Sequence, residues 1–147
     1  MAASTVHASA VLVGNRAVLI RGAAGSGKSR LVLALLDAAR VGLAGFARLV
    51  ADDRVELSAG HGRLLARPPD ALTGSIEMRG VGIRRLPYEP VAVVGLVADL
   101  AAADASRLPE PAAMECEICG LRLPRLAVAA GDDACRAVLI RLRGEGA

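Results

Sequence analysis

Apolar runs punctuated by glycine organise this chain. "STVHASAVLV" (residues 4–13) and "RAVLIRG" (16–22) are β-rich runs on either side of Gly14-Asn15, a dipeptide suited to a tight turn, and together predict a hairpin. "KSRLVLALLDAARVGL" (28–43) predicts a helix. Its residues 31–36 are apolar on every side, which buries it against a sheet, and Gly42 and Gly45 end it. "ARLVADD" (47–53) is a short apolar strand ending in two acids, and "RVELSAGHGRLLARP" (54–68) is a second hairpin turning at Gly60 to Gly62 and closed by Pro68-Pro69. "SIEMRGVGI" (75–83), "VAVVGLVADL" (91–100) and "ECEICGLRLPRLAV" (115–128) each read as one strand, with "AAADASRLPEPAA" (101–113) as a surface loop. After Gly131, "DDACRAVLIRLRG" carries acids at its start and arginines at its end, the polarity that a helix dipole favours. The expected fold is α/β, mostly sheet, with one buried helix and one C-terminal helix. No internal repeat or low-complexity linker interrupts it.

Composition narrows the picture. At 147 residues the chain has the size of a single domain, 1–147, able to bury one core. One Phe, one Tyr and no Trp make that core aliphatic and leave no platforms on which nucleic-acid bases would stack. The net charge of +3 comes from scattered arginines, so neither composition nor charge predicts a nucleic-acid partner. The opening "MAASTVHASAVLVGNRAVLI" lacks a basic region before its apolar stretches and is broken by Gly14, Asn15 and Arg16. It therefore reads as neither a signal peptide nor a membrane span, and the expected location is cytoplasmic. Cys116 and Cys119 form a C-x-x-C and Cys135 stands alone. A metal would want a fourth ligand, and His7 and His61 lack zinc-finger spacing, so the thiols read as buried on a strand.

Chemistry enters with "RGAAGSGKSRL". Of eighteen basic residues, Lys28 is the sole lysine. Gly22, Ala23, Ala24, Gly25, Ser26, Gly27, Lys28 and Ser29 fit the P-loop pattern of Gly, four residues, Gly, Lys and Ser or Thr, between a predicted strand and a predicted helix. Its glycines turn the backbone tightly so that N–H groups face phosphate oxygens, and the helix N-terminus adds its dipole. Lys28 is the compact, flexible cation that reaches the β- and γ-phosphates, a role the planar guanidinium fills poorly. Ser29 is placed to ligate Mg²⁺.

Three other features remain open on their own residues. Asp52 and Asp53 end an apolar strand 24 residues after Lys28, where one would hold Mg²⁺ and one would accept a proton, or where both simply form a turn. Glu77 and Arg79 sit at alternate positions of a predicted strand, on one face, as active-site charges or as a solvated pair. His7, in an apolar run, is a functional group or an ordinary core or edge histidine.

Taken in order, His7, "GNRAVLIRGAAGSGKS", "LVADDRVEL" and "IEMRGVGIRRL" resemble the catalytic domain of the bacterial HPr kinase/phosphorylase family, over roughly residues 5–100. The resemblance implies a P-loop kinase core related to phosphoenolpyruvate carboxykinase, in the short form without the N-terminal domain that is expected in alphaproteobacteria. It implies ATP and Mg²⁺ as cofactors, phosphorylation of a seryl hydroxyl on HPr, the phosphocarrier of the phosphotransferase system, and phosphorolysis of that phosphoserine. By the same resemblance, Gly22 to Ser29 are the phosphate cradle and Asp52 is the general base. Asp53 supports Mg²⁺, His7 lies beside the reacting phosphate, Glu77 belongs to the metal network and Arg79 faces phosphate charge. Ala24 and Arg30 depart from the Ser and Glu that the family often has at those places. The expected partner is an HPr-like protein, with self-assembly into a homo-oligomer also compatible. Two rivals stay open: a P-loop kinase acting on a small molecule, and a non-catalytic nucleotide or phosphate sensor.

Overall fold

In a computed structural model, which describes residues 4–145, the first apolar run is split in two. Strand β1 (Ser4–Val6) ends before His7, and β2 (Ser9–Val13) begins two residues later. The two strands take different neighbours: β1 pairs antiparallel with β5 (Val55–Gly60), while β2 pairs with β3 (Arg16–Arg21) and β4 (Ala47–Ala51). The β2–β3 hairpin turns at Gly14-Asn15 as expected, with Gly14 at φ 66. The second expected hairpin is also present: β5 and β6 (Arg63–Arg67) meet at His61-Gly62, both left-handed, as a hairpin turn matching strand twist requires.

Among the described residues nine strands join one sheet, seven of them in the order β1-β5-β6-β9-β3-β2-β4 and two more branching from β9 (Ala92–Leu100), its hub. One edge of β9 runs parallel to β3. The other edge is shared, antiparallel with β6 at Ala92-Val93 and parallel with β11 (Leu121–Val128) from Val97 onward. Both faces are covered, which is why "AVLI" and "LVA" are unbroken apolar runs rather than alternating ones. Val18, Ile20, Leu96 and Ala98 face helices α1 (Lys28–Arg40) and α2 (Ala134–Glu145). Ala17, Leu19, Val94 and Val97 face a second cluster with Val50, Leu57 and Leu64. Gly95 marks a register shift between β3 and β9, and the side chain of Arg16 lies where a Cβ would stand.

Two further runs read as single strands are hairpins instead. "SIEMRGVGI" folds into β7 (Ser75–Met78) and β8 (Gly82–Arg85), so Arg79 lies in the turn and does not share a strand face with Glu77. "ECEICGLRLPRLAV" folds into β10 (Glu115–Ile118) and β11, turning at Cys119-Gly120. Cys119 is therefore exposed, Cys116 is a half-buried strand thiol, and Cys135, also half-buried, stands on α2 rather than on the strand expected. Burial pushes the thiols of Cys116 and Cys135 up from their ordinary values. Helix α1 is three residues shorter than its sequence pattern. Leu43 and Gly42 donate back to the carbonyls of Ala38 and Ala39, a Schellman closure that ends it at Gly42 with φ 85. Asp133 caps α2 by accepting from the Arg136 N–H. Among the described residues no helix is long and apolar enough to cross a membrane.

Candidate functional site

The glycine-rich loop connects the end of β3 to the start of α1. The Ser26 N–H donates to Ala23 O and closes the turn, and Gly27 at φ 104 precedes the first helical residue, Lys28. Lys28 is buried, and its Nζ donates to Gly22 O at 2.7 Å and to Ala23 O at 3.2 Å. The ammonium is thus held by carbonyls of its own loop, close to where an anion on the backbone N–H groups would lie. Ser26 Oγ is buried and lacks a hydrogen-bond partner among the described residues, which leaves one donor of the loop uncommitted.

The two acids after β4 separate sharply. Asp52 is buried, accepts from the Ser29 hydroxyl at 2.9 Å and accepts from Ser9 Oγ at 2.7 Å. Asp53 is turned away from it by a γ-turn in which the Arg54 N–H donates to Asp52 O across Asp53 at φ 70. A non-glycine residue held there costs of order 1 kcal/mol, the kind of local strain that clusters at functional sites. Asp53 then meets His7, whose Nε2 lies 2.6 Å from Oδ1, both side chains being about half exposed. The break between β1 and β2 carries His7 and precedes Ser9, the two groups that meet these acids, with His7 on Asp53, and Ser9 donating to the Asp52 carboxylate and accepting from the Asp53 N–H.

A cavity of about 580 Å³ gathers these groups. Ala24, Gly25, Gly27, Lys28 and Ser29 form one wall, His7 and Asp53 another, and Glu77 with Arg79 a third. The third wall is positioned by Ile76, which is buried in the core against α1, and by Met78, packed on the same cluster. Gly22, Ala23, Ser26 and Asp52 do not line this cavity. Ser9 joins the site without having been expected there, its one signal being a hydroxyl inside an otherwise apolar run. Arg30, expected only as a departure from the resemblance, lines the cavity.

The donor set suits a hard divalent cation carried on phosphates. Ser29 Oγ and the Asp52 carboxylate are adjacent oxygen ligands, and among the described residues no cluster of three or more His, Cys, Asp or Glu forms a metal cage. Mg²⁺ is usually bound in this way, by one or two protein oxygens with phosphates and water completing its shell. The phosphate cradle also fits. A Cβ at Gly22 would stand 2.4 Å from Ser26 Oγ, so the loop can close this tightly only around glycine.

The model of the HPr serine kinase C-terminal domain family matches residues 1–86. HPr kinase/phosphorylase of Clostridium tetani is 37% identical over 70 residues, 48% of this chain and 21% of that protein. The Clostridium beijerinckii counterpart is 36% identical over 78 residues, 53% of this chain and 24% of that protein. The chain thus spans about a quarter or less of the curated relatives it matches. The solved structure of the HPr(Ser) kinase/phosphatase from Coxiella burnetii superposes with a TM-score of 0.79 at 25% identity, covering 97% of this chain and 96% of that one. The mostly-sheet α/β fold with two helices is therefore that of an HPr kinase structure, and, with a family match running through the loop, both acids and the β7–β8 hairpin, this chain belongs to the HPr serine kinase C-terminal domain family.

Proposed function

We propose that this chain transfers the γ-phosphoryl group of ATP to a seryl hydroxyl of an HPr-like phosphocarrier. The observation that carries the reading is the convergence of Lys28, Ser29 and the His7–Asp53 pair on one cavity. The names of the relatives supply the acceptor. Phosphoryl transfer asks for positioning, cations on the phosphates and one proton acceptor, and this set offers all three.

The geometry supports a division of labour between the acids that reverses the one implied by resemblance. Asp52 does not line the cavity and has its carboxylate engaged by Ser29 and Ser9, which suits holding the Mg²⁺ side of the site. Asp53 faces the cavity, and the His7 Nε2–H donates to one of its oxygens, which leaves the other to accept the seryl proton. As the seryl oxygen bonds to the γ-phosphorus, the bond to the β,γ-bridging oxygen breaks and ADP departs. Bound Mg²⁺ would neutralise charge on the β- and γ-oxygens. Lys28 moves from its loop carbonyls to those same phosphates, and Arg79 adds a cation at the mouth. In reverse, Asp53 returns the proton to the seryl oxygen while inorganic phosphate takes the phosphoryl group, giving pyrophosphate.

The test is transfer of labelled γ-phosphate to a purified HPr-like protein. The expected result is labelled phosphoserine with the unmodified chain and none with Lys28→Ala. Asp53→Asn should retain nucleotide binding but lose about 10²–10⁴ in rate, the usual worth of a positioned base. Asp52→Asn should raise the Mg²⁺ concentration needed. Label on a small molecule instead, or nucleotide binding with no transfer at all, would replace this reading with a small-molecule kinase or a sensor. An undiminished rate in Asp53→Asn would remove Asp53 as the base.

A further inference from the structure

Arg30 stands where the helix dipole disfavours it. It is the third residue of α1, whose first turn contains no acid, and among the described residues it makes no ion pair. Its place explains its presence. With Gly27 it forms the ridge between the phosphate cavity and a second one of about 240 Å³. The far wall of the second cavity is Ala101 after β9 together with Ala130 and Asp132 in the loop after β11. Because β3, β9 and β11 run parallel within an otherwise antiparallel sheet, this cavity lies outside the carboxyl ends of three adjacent strands, the end at which parallel α/β strands receive ligands.

A nucleotide with its phosphates in the cradle needs room for its other end. On the His7–Asp53 side that end would block the acceptor hydroxyl. On the Arg30 side it enters a cavity smaller than the ~300 Å³ at which drug-sized pockets begin, with room for a ribose and one edge of a base. Of the paired acids in its lip, Asp133 is committed to capping α2, whereas the Asp132 carboxylate makes no hydrogen bond or ion pair within the described residues. A vicinal diol presents two O–H donors to such a carboxylate. We propose that this second cavity is the nucleoside subsite of the cradle, with Arg30 on the α-phosphate and Asp132 accepting from the ribose hydroxyls. The proposal rests on the reading of Gly22 to Ser29 as a nucleotide-phosphate cradle, and it gives a use to an arginine that the helix dipole disfavours.

Calorimetric titration of the full chain in Mg²⁺ with ATP, 2′,3′-dideoxy-ATP and inorganic tripolyphosphate separates the two. Ala130→Trp fills the cavity from an exposed position that does not disturb the core. Expected is ATP affinity about tenfold weaker in Ala130→Trp with tripolyphosphate affinity unchanged. Asp132→Asn should erase the preference for ATP over its dideoxy analogue, and Arg30→Gln should weaken ATP and tripolyphosphate alike. If Ala130→Trp and Asp132→Asn bind ATP and the analogue as the unmodified chain does, while tripolyphosphate still binds through Lys28, the nucleoside subsite is wrong and the cradle stands. If neither ATP nor tripolyphosphate binds in a Lys28-dependent way, the cradle fails and the subsite with it.

Discussion

Gly22 is the point at which the phosphate loop admits no side chain. An added Cβ would lie 2.4 Å from Ser26 Oγ, 3.1 Å from Ser26 Cβ and 3.3 Å from Leu100 Cβ, so alanine there must push the loop outward. Because Lys28 Nζ is held by Gly22 O, the displacement carries the ammonium with it. Gly22→Ala should therefore weaken ATP binding about tenfold, roughly 1.4 kcal/mol, and adding Ser26→Ala should recover part of the loss by removing the nearest atom. Binding as tight as in the unmodified chain would show that the loop yields without cost. At this scale the sequence was most informative where a motif is contiguous: the spacing of Gly22, Gly27, Lys28 and Ser29 already specified a loop before a helix. It was least informative for Asp52 and Asp53, neighbours of identical chemistry, whose separation depends on one left-handed backbone angle at Asp53.

Elements obeyed their patterns where a turn has a strong local signature, as at Gly14-Asn15 and His61-Gly62, and departed from them where a short apolar run hides a reversal. "ECEICGLRLPRLAV" contains one glycine and reads as continuous, yet Cys119 and Gly120 both take positive φ and fold it back. In "SIEMRGVGI" the two glycines were visible, but the reversal at Arg79 to Val81 arises because Ile76 is drawn into the helix-facing core while Gly82–Arg85 remains exposed. Long-range burial of that kind has no period in a single sequence. Helix α1 offers a test of the opposite situation, a local signal that is fully explicit. Gly42 holds φ 85 with open space around its Cβ position, so Gly42→Ala brings backbone strain without a clash. The expected loss is about 1 kcal/mol, a fall in Tm of about 2–4 °C, with ATP affinity unchanged because the cradle lies at the other end of the helix. An unchanged Tm would mean that the Schellman closure contributes nothing to stability.

The whole molecule is tied together at the end of β9, on the strand termini that carry the loop. Asp99 accepts from Arg21 Nε at 2.7 Å and Nη2 at 2.8 Å, and from Arg125 Nε at 2.6 Å. Arg125 continues to Asp104 and to Ala113 O, so three strands and the loop after β9 meet in one charged cluster. Arg21 is the residue before Gly22, which makes this cluster the anchor of the cradle's first residue. Burial pushes the Asp99 carboxyl up, but the hydrogen bonds and charges of Arg21 and Arg125 outweigh it and hold the group below its ordinary value of 3.8. The hydrogen bonds from Arg125 to Asp104, then to Asp99, raise its own pKa. The sign for Asp99 follows from linkage: the unfolded chain takes up the proton first as pH falls. The stabilisation is whole above the ordinary carboxylate value and disappears as pH drops through the lowered one. Asp99→Asn, similar in shape but without the charge, should cost about 1–2 kcal/mol at pH 7, less than a fully buried pair because solvent reaches Arg21, since it leaves Arg21 without a charged partner and Arg125 with Asp104 as its one carboxylate. Urea midpoints measured from pH 7 down to pH 2 should show that difference constant above about pH 5, where model carboxylates are ionised, and shrinking below it. A difference that persists undiminished at pH 2 would mean that Asp99 acts through shape and hydrogen bonding alone, and that its charge does not hold the three strands to the loop.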